Sequence, residues 1–287
     1  MNDILIDATM LRSAGNCKEF FRRQFVENIV PVKPAIHREF GIAIHRAVQF
    51  FWNGSPYEDA YEIAAGHLAL LDETGLNVRE REKLDEMRDY LPDLLAVYYE
   101  SHEQEPAVNV MLEREFVHKN YLPGVHLCGR IDRFTFDLVL SDLKTASEIG
   151  RNWKSDYKEA ALRDCALPLY DWAITQMQPD SAPKSIQLEV LIKPYKSKPT
   201  RLEVVPLNEI IAYRERFKRQ LDWRVRELVH YIRTYGQVQP WPMNDGSQCV
   251  SKFGPCEYLP LCNWVSTPKN LKLYKQREEH LESRRNG

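Results

Sequence analysis

Residues 129–147 read GRIDRFTFDLVLSDLKTAS. β-Forming residues flank Asp137 on both sides, the pattern of two strands joined by a tight turn. Side chains alternate faces along a strand, so Asp142 and Lys144 share one face. Asp132 and Asp142 each lie five residues from Asp137, and an antiparallel hairpin turning there sets them opposite one another. Two close carboxylates repel, and burial makes both charges costly. A divalent cation removes that conflict, and hard oxygen ligands favour Mg²⁺ or Mn²⁺. A lysine beside them orients an attacking water or stabilises charge developing on a phosphate. The competing reading of so short a motif is a surface hairpin in which Asp142 merely pairs with Lys144.

The 287 residues suffice for one large domain or two modest ones, with a substantial core. Thirty-nine basic residues against 41 acidic ones give a net charge of −2. That balance neither suggests nor excludes nucleic acid, because a local basic groove can sit on a neutral protein. No run approaches the ~18 apolar residues of a spanning helix. The N-terminal MNDILIDATM has no basic segment ahead of its apolar residues, so the expectation is a cytoplasmic chain with no membrane partner. Helical patterning covers 8–29, about 37–53, and a charged stretch at 56–104 that reads as an insertion. Strands are expected at 107–118, 125–136 and 138–144. A helix over 156–177 contains Pro168, which kinks it or starts its main part. A hairpin at 185–193 and 201–206 precedes a long helix over 207–235, and 241–265 is irregular. The reading is an α/β fold, a mixed sheet flanked by helices. An N-terminal helical arm covers 1–36. The core spans 37–240 with its insertion at about 56–105, and a cysteine-bearing tail covers 241–287.

Six cysteines occur, three of them in CVSKFGPCEYLPLC: Cys249, Cys256 and Cys262. In a reducing compartment such a group reads as a metal or iron–sulfur site more readily than as disulfides. Cys128 and Cys165 read as small buried hydrophobes.

GRID followed by SDLKT resembles the core of the PD-(D/E)XK nuclease superfamily in its RecB-like branch, which includes CRISPR-associated exonucleases. That branch carries GxxD on one strand and D/E-x-K on the next. FGIAIHRAVQFF, with Gly41 and His45, resembles the family's histidine motif, and LEREF, with Glu113, its acidic strand position. ALPLYDWA resembles the Q-x-x-x-Y helix: Tyr170 matches the tyrosine, whereas Ala166 stands where the family has glutamine. The resemblance implies a restriction-endonuclease-like core and a metal held by His45, Asp132, Asp142, the Leu143 carbonyl and, more weakly, Glu113. Lys144, Asp142, Asp132 and Tyr170 are the catalytic candidates. Some members bind a 4Fe–4S cluster with one cysteine ahead of the histidine motif and three near the C-terminus, stapling the termini together. Cys17, Cys249, Cys256 and Cys262 match that order, although C-x6-C-x5-C departs from the family's C-x2-C-x5-C. Four thiolates suit iron–sulfur or tetrahedral zinc.

DNA contact is expected from FFRRQ, from KPYKSKPTR with Lys196 and Lys198, and from GRNWKSDYK with Arg151, Trp153 and Lys154. The resemblance thus implies a metal-dependent DNA exonuclease acting on single strands or ends. Such an enzyme stands alone, as a homo-oligomer, or with recombination or CRISPR partner proteins. The alternative is a catalytically idle zinc or iron–sulfur module that binds DNA.

Overall fold

The structure, a computed structural model, describes residues 3–102, 109–147, 152–194, 198–236, 241–243, 249–251, 254–262 and 268–276. Its centre is a six-stranded mixed sheet. Strand β1 (Ile4–Ile6) runs parallel to β4 (Val125–Thr135), and β3 (Asn109–Leu122) pairs antiparallel along β4. Strand β5 (Val139–Ser147) lies parallel to β6 (Ser185–Lys193), and β7 (Arg201–Pro206) closes the far edge antiparallel to β6. The segment SIQLEVLIK is nearly all buried, as expected of a central strand covered on both faces.

The pairing of β4 decides where the site lies. One edge of β4 belongs to β3. The other is shared: β1 takes Val125–Leu127, and β5 takes only Arg133 (with Ser141) and Phe134 (with Leu140). The ladder register continues to set Asp132 beside Asp142, but the strands have parted there. A gap opens in the sheet at the two aspartates.

Helix α1 (Ala8–Asn16) is capped by Asp7, whose carboxylate accepts from Met10 N at 2.8 Å. The sequence pattern over 8–29 suggests one helix, but Cys17 adopts an extended conformation (φ −159°) and interrupts it. α2 (Lys18–Phe21) follows and widens into a π-helical turn at Arg22–Val26. α3 (Ile36–Trp52) buries Phe40, Ala43, Ile44, Ala47 and Val48, a stripe at helical spacing. α4 (Tyr57–Ala69) and α5 (Val78–His102) form the insertion and share a core with α3, Leu143 and Leu191 on one face of the sheet.

The opposite face is covered by α1, α7 (Ala166–Met177) and α9 (Arg214–Tyr235), around Leu11, Phe134, Leu169 and Val225. The pattern over 156–177 divides into α6 (Trp153–Arg163) and α7. Asp164 ends the first and caps the second, accepting from Cys165 N (2.6 Å) and Ala166 N (3.1 Å). Pro168 falls in the first turn of α7, where its missing N–H has no intrahelical partner to lose. The helix expected over 207–235 breaks at Tyr213 into α8 (Glu209–Ala212) and α9. Residues 1–36 are more than an arm, since β1 lies in the central sheet.

The tail returns to the N-terminal segment. Strand β2 (Ile29–Pro31) pairs antiparallel with Tyr274–Gln276, and the buried Tyr258 donates its hydroxyl to Ile29 O at 2.6 Å. No described helix is long and apolar enough to cross a membrane.

Candidate active site

Four elements bring the candidate residues to the gap. α3 supplies His45, β3 supplies Glu113, β4 supplies Asp132, and β5 supplies Asp142, Leu143 and Lys144. Leu143 shows how the gap is made. Its N–H donates to Asp132 Oδ2 at 3.1 Å, and its carbonyl lies 3.1 Å from His45 Nε2. Both backbone groups are taken by side chains of the site. The other ring nitrogen of His45 lies 3.2 Å from Glu113 Oε1 and 3.7 Å from Asp132 Oδ2. With acceptors at both nitrogens the ring is suited to its imidazolium form. Burial opposes that charge, but Asp132 and Glu113 outweigh it and raise the His45 pKa.

His45, Glu113 and Asp132 each offer one ligand atom within 4.8 Å of the others. Among the described residues no other such group occurs. Glu113, weak as a sequence candidate, is therefore central to the geometry. It sits between the paired residues Leu112↔Arg133 and Arg114↔Ile131, which sets it beside Asp132. Its φ is +45°, a left-handed conformation costing a non-glycine residue about 1–3 kcal/mol. Nothing in its local sequence demands this; it is held there by contacts, including Arg130 Nε at 2.8 Å from Oε2.

Asp142 lies outside that three-residue group. It is 4% exposed, and Lys144 Nζ lies 2.6 Å from its Oδ2. Burial, assisted by Asp132, pushes the Asp142 carboxyl up to about 6 against the opposing pull of Lys144. Burial also works against the Lys144 charge, but Asp142 and Asp132 outweigh it, so its pKa rises and the ammonium is kept. Asp142, Lys144, Tyr157, Asp164 and Leu167 line a cleft of about 150 Å³. Tyr170 lies nearby. Burial first, then Asp132 and Asp142, raise its hydroxyl pKa, which keeps the phenol a neutral donor.

Gly129, the glycine of GRID, has a local reason. A Cβ there would stand 2.7 Å from the Phe116 ring and 2.9 Å from that of Tyr170. Only glycine lets α7 bring Tyr170 this close to β4. Sequence reasoning missed Arg12, which bonds Asp164 at 2.5 Å on the same side of the cleft. No motif marks it; its role follows from α1 folding back over the sheet.

Several DNA-contact candidates are engaged within the fold. Trp153 is 7% exposed and belongs to the core. Lys154 is paired with Glu203 at 2.6 Å. Arg22 and Arg23 of FFRRQ are committed to Glu19 and Glu27. In each case a tertiary partner claims a side chain that looks free in sequence. Lys198 is exposed, and Arg151 and Lys196 lie outside the described residues.

Cys17, Cys249, Cys256 and Cys262 line one cavity of about 230 Å³ with Phe20, Met243 and Tyr258. Burial raises the pKa of the Cys256 thiol and pushes that of Cys262 to about 11. Cys128 and Cys165 are buried elsewhere.

No curated protein matches the chain. Among solved structures it is similar to a protein from Eubacterium rectale described as a "putative exonuclease", with a TM-score of 0.53 and 9% identity, over 92% of this chain and 90% of that one. At that identity the likeness concerns the fold alone. The family model of the PD-(D/E)XK nuclease superfamily matches residues 8–263. The chain therefore belongs to the PD-(D/E)XK nuclease superfamily.

Proposed function

We propose that the protein is a divalent-metal-dependent deoxyribonuclease, an exonuclease acting on single-stranded DNA or DNA ends. The observation that carries this reading is the gap in the sheet. It sets the His45–Glu113–Asp132 group beside the Asp142–Lys144 pair. Three carboxylates gathered among His45, Lys144 and Arg130 make a donor set suited to a hard divalent cation. Glu113 and Asp132 would hold the ion, joined by His45 once its ring gives up a proton, with Asp142 and the Leu143 carbonyl close by. Bound there, Mg²⁺ or Mn²⁺ supplies an acidified water and a Lewis acid for a phosphoryl oxygen. Lys144 carries the ammonium of the site: its side chain is 43% exposed, and its ammonium lies against Asp142. It reaches into the cleft to donate to the attacking water or to a non-bridging oxygen. Tyr170 donates a neutral hydroxyl on the Asp132 side. Ala166 occupies the family's glutamine position, which leaves substrate positioning along α7 to other residues.

The same reading assigns an iron–sulfur cluster to Cys17, Cys249, Cys256 and Cys262. A single tetrahedral zinc with Zn–S bonds of about 2.3 Å needs its sulfurs roughly 3.8 Å apart. Among the described residues no three of these sulfurs fall within 4.8 Å of one another, a spacing wider than a single zinc needs, and the assignment to a cluster rests on the order of the cysteines. Its role would be structural, joining Cys17 to the returning tail beside the β2 pairing.

The test is anaerobic purification, metal analysis and visible absorption. The same preparation is assayed with labelled linear and circular single-stranded DNA and Mn²⁺, with the Asp142→Ala variant beside it. The reading expects bound iron, absorbance near 400 nm and degradation of linear DNA that the variant loses by at least a hundredfold. A colourless zinc protein that leaves both DNAs intact would favour the binding module. Wild-type cleavage by Asp142→Ala would remove the site from the chemistry.

A further inference from the structure

The catalytic cleft does not end at Asp164. There it meets a narrow recess lined by Asp164, Cys165, Arg163, Phe217 and Arg224. That recess shares Arg163, Phe217, Gln220 and Arg224 with a wider cavity of about 340 Å³ that reaches Tyr213 and Arg216. Through those shared lining residues the three spaces follow one another as a surface trough, narrowing to about 20 Å³ at the recess, from Asp142 and Lys144 across the α6–α7 junction to the start of α9.

The α9 wall is a single helical stripe. Tyr213, Arg216, Phe217, Gln220 and Arg224 follow at helical spacing. At 1.5 Å per residue, Tyr213 to Arg224 spans roughly 16 Å, the length of a few nucleotides. The acids bordering the trough are answered: Arg12 holds Asp164, Arg163 lies 3.1 Å from Glu159, and Lys158 pairs with Glu209. Arg224 bonds the Cys165 sulfur and the Arg163 carbonyl rather than a carboxylate. Among the described residues no carboxylate forms an ion pair with the exposed Arg216. Tyr213 is 56% exposed. Guanidinium charge free of carboxylates beside an exposed ring is the chemistry that holds a single nucleic-acid strand, phosphates on arginine and bases on aromatic faces. The widest part has the volume of a small-ligand site; it admits a base with its sugar but not a duplex.

We propose that this trough is the track along which a single DNA strand is held while its scissile phosphate lies at Asp142 and Lys144. The inference rests on the nuclease reading for the strand's destination but not for its binding. Tyr213 offers the stacking surface, Phe217 packs against the core beside it, and Arg216 and Arg224 neutralise phosphates. The track also replaces the positioning that the family's glutamine gives on α7.

The test is fluorescence anisotropy of a labelled 15-mer of thymidylate, in a Lys144→Ala background that prevents cleavage. Arg216→Glu and Tyr213→Ala are compared with Arg226→Glu. Arg226 lies on another side of α9, bound to Asp222, and changes the net charge equally. The track predicts at least tenfold weaker binding for Arg216→Glu and about fivefold or more for Tyr213→Ala. Arg226→Glu should stay within twofold. Arg216→Ala should reduce the slope of log affinity against log salt by about 0.7. Equal effects of the two charge reversals, an unchanged Tyr213→Ala, or no binding of the 15-mer would overturn it. With Lys144 intact, cleavage of linear DNA by the native chain is scored separately. Binding lost at Arg216 without any cleavage would refute the nuclease reading and keep the track. Cleavage with unaltered binding in Arg216→Glu would do the reverse.

Discussion

Arg133 and Glu189 form a buried ion pair where β4 and β5 begin to part, and removing one partner should be severe. Their side chains are 7% and 2% exposed, and Arg133 Nη2 lies 2.6 Å from Glu189 Oε1. The guanidinium also lies 4.4 Å from the Trp52 ring centroid. In Arg133→Met the described partners left to the Glu189 carboxylate are Tyr98 Oη and Gln187 Nε2, each at 3.3 Å, with His102 at 3.6 Å. An uncompensated buried charge of this kind costs about 3–5 kcal/mol, a large part of the ~5–15 kcal/mol that keeps a domain folded. In Arg133→Met/Glu189→Gln the stranded charge is gone and its neutral contacts can persist. At least half of the loss should return, giving a coupling energy of about 2 kcal/mol. Urea unfolding at pH 7 of the wild type, both single variants and the double variant measures this directly. A cost below ~1 kcal/mol for Arg133→Met, or no recovery in the double variant, would refute the reasoning that Glu189 depends on Arg133 for charge compensation.

Other consequences follow from the same geometry. Lys193 is 7% exposed, its ammonium over the Phe40 ring at 4.8 Å, and burial with nearby Lys83 pushes its pKa down from 10.5 to about 8. The unfolded chain then holds more protons between those values, so stability should rise by ~3 kcal/mol from pH 8 to 10.5. Lys193→Met should stabilise at pH 7 and lose that advantage above pH 10.5; thermal unfolding showing no gain at pH 7 would contradict this. Gly129→Ala should cost about 1–3 kcal/mol by driving a methyl into Phe116 and Tyr170. It should lower cleavage as Tyr170 shifts, and unaltered stability and rate would dismiss the close approach. Cys256→Ser should lose bound metal and visible absorbance and lower the melting temperature, whereas full metal content would remove Cys256 from the ligand set.

The sequence carried the local part of this protein. Strands 185–193 and 201–206 and the helix bearing His45 were legible because apolar residues recur at periods of two and about 3.6, signals held within a few neighbours. Counting from Asp137 set Asp132 opposite Asp142 because hairpin register is fixed by its turn. The order of four cysteines around the core could also be read from the chain. Tertiary structure alone decided that the β4–β5 ladder stops at Arg133, opening the gap, with β1 taking Val125–Leu127 on the β4 edge it shares with β5. It decided that Glu113 is twisted to φ +45° beside His45. It also decided that Trp153 is buried and that Arg22, Arg23 and Lys154 are already paired, while Arg216 remains open to solvent. Each of those outcomes depends on which distant residue arrives alongside, and that is settled by packing and charge compensation across the whole fold, not by neighbours in the chain.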